Sequence, residues 1–153
     1  MKKIIIQIGR QEIREGFSIE KISMHTSLGK IPKAVITLKE DSTQPTPSIF
    51  ANATESIPGT EITVTLVESV GTKAVFNGLI AKLEVKNNRE AVITKLTCFD
   101  SLMKMDIHKQ NCLHQCSRNA ELYAELAAKY GVQINADASN TLFENMIQFE
   151  MTD

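Results

Sequence analysis

The run from Ile57 to Met105 constrains this chain more than any other part of it. It reads IPGTEITVTLVESVGTKAVFNGLIAKLEVKNNREAVITKLTCFDSLMKM. Apolar and polar residues alternate in three blocks, 61–67, 73–86 and 91–99, and period two is the mark of a strand with one covered face. Ile62, Val64 and Leu66 face one way, and Thr63, Thr65 and Val67 the other. Ser69-Val70-Gly71-Thr72 supports a hairpin into the second block, and Asn87-Asn88 a turn into the third. In that third block Val92, Thr94, Leu96 and Cys98 oppose Ala91, Ile93, Lys95 and Thr97. Strands joined by such short turns are antiparallel neighbours. Gly78 stands inside the second block, where glycine marks a bulge or a close backbone approach.

The same pattern extends toward the N-terminus. Residues 3–8 suit a first strand, and Gly9-Arg10-Gln11 a tight turn into Glu12-Ile13. Residues 17–25 read as a strand with neither face cleanly apolar. In 33–39, Ala34, Ile36 and Leu38 share one face, so the even positions point inward. From Glu40 to Pro58 the chain changes character: Asp41 to Pro47 form a polar, proline-bearing loop, and Ile49, Phe50 and Ala51 suit a short helical turn that drops a hydrophobic plug onto the core. Pro58-Gly59 turns it back into the central run.

After Asp100 the character shifts. Ser101 to Asp106 suits a single turn and 107–116 a further strand. Ala120, Leu122, Tyr123, Leu126, Ala127 and Tyr130 then recur at helical spacing, with Gly131 where the helix should stop. Ser117 or Asn119 is its candidate cap. Val132 to Ile134 and Met146 to Met151 read as short strands. The class is mainly β with one amphipathic helix near 118–130, divided into a β-barrel over 1–106 and a strand–helix–strand extension over 107–153.

Composition narrows the chemistry. The chain of 153 residues has 17 Lys and Arg against 18 Asp and Glu, and its basic residues are scattered, the longest cluster being Lys2-Lys3. That balance speaks against broad affinity for nucleic acid or anionic membrane. No apolar run reaches the roughly 20 residues of a membrane helix. The Met-Lys-Lys start is followed by too short an apolar run for a signal peptide. Three cysteines cannot form a complete disulfide framework, which fits a reducing cytoplasm.

The sharpest chemical lure is His108, Cys112, His114 and Cys116, all at even positions and all of zinc-ligand type. On one extended strand, 108 and 116 would lie roughly 26 Å apart, too far to converge on one ion. Two of them, completed by a second chain, would make a metal site. Otherwise the cysteines are small buried hydrophobes and the histidines surface or contact residues. Cys98 lacks a neighbouring base and reads as a core thiol. Asp100 reads as a turn or cap, and Glu121 with Glu125 as the wet side of the helix. There is no glycine-rich phosphate loop and no triad motif, so no catalytic residue and no cofactor is expected.

The landmarks in order are Thr60-Glu61-Ile62-Thr63-Val64 after a Pro-Gly turn and then Phe76-Asn77-Gly78-Leu79-Ile80. A strand ending in Asp100, Leu102 to Met105, the helix ending Lys129-Tyr130-Gly131-Val132, and Gln148 to Asp153 follow. This set resembles the N-terminal hub region of the VgrG (Rhs-associated Vgr) family, related to the tail hubs of contractile phages. The resemblance covers nearly the whole chain; 40–58 matches loosely, and the His108 to Cys116 cluster is not part of it. It implies a tail-tube-like barrel in a homotrimer that joins an Hcp-like tube to a piercing tip, with baseplate, spike-tip or effector proteins as partners. It implies a non-enzymatic protein, assembled in the cytoplasm and exported on firing, with neither nucleic acid nor stable membrane insertion. Because a second barrel and a spike do not follow within 153 residues, this piece alone is expected to be monomeric or weakly associated. The barrel wall and core would rest on Ile62, Val64, Leu66, Phe76, Ile80, Leu96 and Phe99, with Gly78 as a bend. A prophage tail hub and a small metal-dependent β-barrel binding module are the alternatives.

Overall fold

A computed structural model describes residues 3–13, 17–41, 58–69, 71–87, 91–133 and 142–152. The chain forms two compact units, Met1–Ser101 and Leu102–Asp153.

In the first unit the central run is a meander: β5 (Glu61–Glu68), β6 (Gly71–Asn87) and β7 (Ala91–Asp100). The N-terminal strands β1 (Lys3–Ile8), β2 (Gln11–Glu12), β3 (Phe17–Ser27) and β4 (Lys30–Asp41) lie on both sides of it. The strand order is β2-β1-β5-β6-β7-β4-β3, and every neighbouring pair is antiparallel. β1 therefore pairs with one side of the meander and β4 with the other.

The even residues of β4 do point inward: Ala34, Ile36 and Leu38 are completely buried. They join Ile6, Ile62, Val64, Phe76, Ile80, Leu96 and Cys98 in one core, with Ile13, Phe17 and Ile22 packed against it. A flat sheet cannot bury one face to this degree against itself, so the sheet is strongly curled. Bulges supply curvature, since an extra residue bends and twists a strand, and the β3–β4 register shifts once more between His25 and Ser27. Val75 and Ala81 are the skipped residues on β6, and Glu20 on β3. β6 is shared along its length: Gly71 to Leu79 pair with β5, and Gly78 to Asn87 with β7.

The expected barrel is not closed by a hydrogen-bonded seam among the described residues; β2 and β3 are the two edges of an open, curled sheet. The edges are nevertheless consecutive in the chain. From Ile13 to Phe17 is four residue steps, at most roughly 14 Å. Between Lys3 to Ile6 on one side and Phe17 with Ile19 on the other lies a cavity of about 560 Å³.

The second unit begins at Leu102, near the start of a 3-10 turn over Ser101–Asp106, the single turn expected there. β8 (Gln110–Arg118) pairs antiparallel with β9 (Leu142–Met151), and α1 (Asn119–Tyr130) lies between them in sequence. The tyrosine hydroxyl of Tyr130 accepts from Gln110 Nε2 at 2.7 Å, and Lys129 Nζ donates to Gln110 Oε1 at 2.8 Å, tying the end of the helix to the start of β8. Gly131 stops the helix with φ 63°, a left-handed conformation that costs glycine little.

Several boundaries differ from expectation. The strand expected from 107 starts at Gln110, which leaves His108 off it. The helix cap is Arg118 rather than Ser117 or Asn119. Its backbone N–H donates to Glu121 Oε2 at 3.0 Å, half of a capping box. Val132 and Gln133 are not a strand; Val132 is buried and its N–H donates to Ala127 O at 3.1 Å, so the helix-stop geometry competes with extension. β3 runs on to Ser27 and turns at Leu28-Gly29, and Asp41 belongs, with Glu40, to β4 rather than to the loop. Pro58-Gly59 is a turn. Ile49 to Ala51, Asn88 and Ile134 lie outside the described residues.

Candidate functional site

The most constrained point of the wall is where β6 passes from β5 to β7. Gly78 pairs with Ile62 on one side and Asp100 on the other. A Cβ on Gly78 would overlap the Phe99 carbonyl oxygen, lie 2.8 Å from its carbon and 3.0 Å from Phe76 Cε1. Only the absence of a side chain lets the two backbones approach this closely. The turn before β5 is bonded into the same corner: Gly59 N–H donates to Ile80 O at 2.7 Å, and Ile80 N–H to Thr60 O at 3.0 Å.

Around that corner, Ile62, Val64, Phe76, Ile80 and Leu96 are buried. Leu66 is half-buried, opposite Ile4, which is 42% exposed near the open edge. Phe99 is at an odd position of β7, so it alternates away from Cys98 and onto the outer face. It is half-buried there, with Lys33 Nζ 5.6 Å from its ring centre. Asp100 accepts from Ser101 Oγ at 3.4 Å. It also borders a cavity of about 280 Å³ with Met24, Pro32, Phe76 and Asn77.

The candidate metal ligands do not gather. His108 is exposed and precedes β8, whereas Cys112 and His114 lie on β8 opposite Gln148 and Met146. The side chain of Cys116 is outside the described residues. Among the described residues no group of three or more His, Cys, Asp and Glu side chains is placed to hold a metal ion. Cys98 is fully buried, and burial pushes its thiol up to about 12. It is therefore protonated and unreactive near neutral pH. Glu121 serves the helix start, and Glu125 is exposed.

Two features were not legible as sites in the sequence. On the inner face, Glu40 and Thr94 are 7% and 1% exposed, and Glu40 Oε2 and Thr94 Oγ1 have no hydrogen-bond partner among the described residues. On the outer face, Lys82 Nζ donates to Glu84 Oε1 at 3.0 Å, and Lys95 Nζ is 3.7 Å from Oε2. The Lys82 hydrogen bond, then the positive charges of Lys82, Lys95 and Lys86, hold the Glu84 carboxyl below its ordinary range. Alternating Lys, Glu and Lys at 82, 84 and 86 was the only sequence signal of that face.

Among the described residues, no helix is long and apolar enough to cross a membrane. Solved structures share the fold. The prophage MuSo2 43 kDa tail protein from Shewanella oneidensis superposes with a TM-score of 0.74 at 12% identity, over 99% of this chain and 45% of that one. The E. coli c3393 protein, a component of the type VI secretion system similar to the T4 tail proteins gp27 and gp5, gives 0.61 at 11% identity, over 90% of this chain and 40% of that one. A chain of a PdpA–VgrG complex gives 0.62 at 11% identity, over 97% of this chain and 28% of that one. The chain thus spans less than half the length of each of these structures. No curated protein matches in sequence. The expected kinship with tail hubs and VgrG proteins is met at the level of fold, whereas in sequence the Alg8 N-terminal domain matches residues 1–153. The chain belongs to the Alg8 N-terminal domain family and carries a fold found in phage tail and type VI secretion proteins.

Proposed function

We propose that this chain is a non-enzymatic structural part of a contractile tail, acting as a hub domain between a tube and a tip. The observation that carries the reading is the superposition over 99% of the chain on a phage tail protein. The physics of the fold agrees with a mechanical role. The curled sheet invests its buried residues in one continuous core. In the intact assembly the protein would be a homotrimer seated on an Hcp-like tube, with baseplate, spike-tip or effector proteins beyond it. It would be assembled in the cytoplasm and carried out on firing.

The higher score for the prophage tail protein than for the secretion component favours a prophage tail hub as a second reading. Deleting the gene in its native cell separates the two. Loss of tail particles with tube-protein export intact supports the prophage tail. Loss of tube-protein export supports the secretion spike. The proposal fails if both survive and the tagged chain is absent from purified particles.

A further inference from the structure

The lysines that are scattered in the sequence meet on the outer face of the first unit. β4 buries its even residues, so its odd residues face outward, and the pairing carries that face across four strands. In one row Lys39 on β4 and Lys86 on β6 both flank Ile93 on β7. In the next row Lys21, Thr37, Lys95 and Glu84 stand side by side on β3, β4, β7 and β6. Then come Val35, Thr97 and Lys82, and last Lys33 beside Phe99. Lys21, Lys39, Lys82, Lys86 and Lys95 are exposed, and Lys33 is half-buried. In these rows the six lysines outnumber the carboxylates, which are Glu84 and exposed Glu20 at the β3 bulge beside Lys21, although the chain as a whole has more Asp and Glu than Lys and Arg.

Neighbouring strands are about 4.8 Å apart and same-face residues about 6.8 Å, so each lysine position stands about 8–12 Å from its nearest fellow, on the order of one screening length. Concentrated positive charge on an otherwise acidic molecule is costly without a counter-charge and steers an anionic partner strongly. Among the described residues the four strands carry no arginine, the residue whose planar fork suits phosphate. The rings of this face are Phe99, half-buried with Lys33 over it, and exposed His25 paired with Lys33 on the last row, a sparse platform for stacking successive bases. Half-buried Val35, Thr37, Ile93 and Thr97 fill the ground between the charges.

We propose that the outer face of β3, β4, β7 and β6 is a docking surface for an acidic protein surface, held by this lysine array. The inference does not depend on the tail reading. The test uses the 153-residue chain, poly-L-glutamate as the acidic probe, duplex DNA as a competitor class, and backbone amide NMR. Poly-L-glutamate should bind at about 0.02 M salt, shift the amides of Thr37, Ile93, Lys95 and Thr97, and bind at least about tenfold more weakly at 0.2 M. K39E/K86E/K95E should weaken binding at least about tenfold, with K39Q/K86Q/K95Q as the milder substitute should the reversal unfold the chain. K3E/K73E/K109E, which changes net charge equally but elsewhere, should bind like the unsubstituted chain. Shifts confined to other strands, equal loss in both charge-reversal variants, or tighter binding of duplex DNA than of poly-L-glutamate would overturn the proposal.

Discussion

Gly78 on β6 and Phe99 on β7 are packed backbone against backbone, so that a methyl group on Gly78 would overlap the Phe99 carbonyl oxygen. The partner is main chain of a strand paired on both sides, Phe99 lying between Lys33 on β4 and Leu79 on β6, and cannot swing aside. Gly78→Ala should therefore destabilise the first unit by about 1–3 kcal/mol, an overpacking cost. Urea unfolding checks this, and a loss below about 0.5 kcal/mol would show that the strands separate freely there.

Leu96 is central to the core and fully buried, opposite Ile36 on β4 and Leu83 on β6. Leu96→Ala should cost about 2–5 kcal/mol from lost burial and the cavity left behind. Leu113, on the second unit's ribbon, is 52% exposed, and the same substitution there should cost about 1 kcal/mol or less. Comparing the two by thermal melting tests whether the core assignment is right.

Thr94→Val should be neutral or stabilising by about 1 kcal/mol, because it replaces a buried hydroxyl that has no partner among the described residues with a methyl of similar shape. A clear destabilisation, measured by calorimetry, would mean that the hydroxyl is bonded in solution.

Cys98 should resist alkylation in the folded protein, while exposed Cys112 reacts, as read by peptide mapping after brief iodoacetamide treatment. The pH dependence follows from the same burial. The folded thiol titrates at about 12, above the ordinary value near 8.5. Its contribution is thus fully present below the unfolded value and is lost as pH rises from there toward 12. Cys98→Ala should flatten the alkaline decline in stability relative to the unsubstituted chain.

Much of the first unit was readable because its strands are half-covered and alternate. Ala34, Ile36 and Leu38 announced their face, as did Ile62 and Val64. Seam closure was not readable, because it depends on hydrogen bonds between edges that no local pattern reports. The start of β8 was missed because extended-looking residues at 107–109 carry no breaker. The arginine cap was missed because it uses Glu121 from within the helix rather than its own side chain. The lysine face was hidden for a different reason. Lys39, Lys86 and Lys95 become neighbours only through the register of β4, β7 and β6, and that pairing is long-range.

The placement of β1 and β4 on opposite sides of the meander has a consequence for folding. The meander β5-β6-β7 is made of local hairpins, which form early and cheaply in loop entropy. The preceding strands must then grasp it twice, β1 against β5 and β4 against β7. They act as a belt, with the short passage from Ile13 to Phe17 as its buckle. Once one end is seated, the other searches only a short arc. A slip in either pairing would drag the second out of step, so the two non-local registers proofread each other.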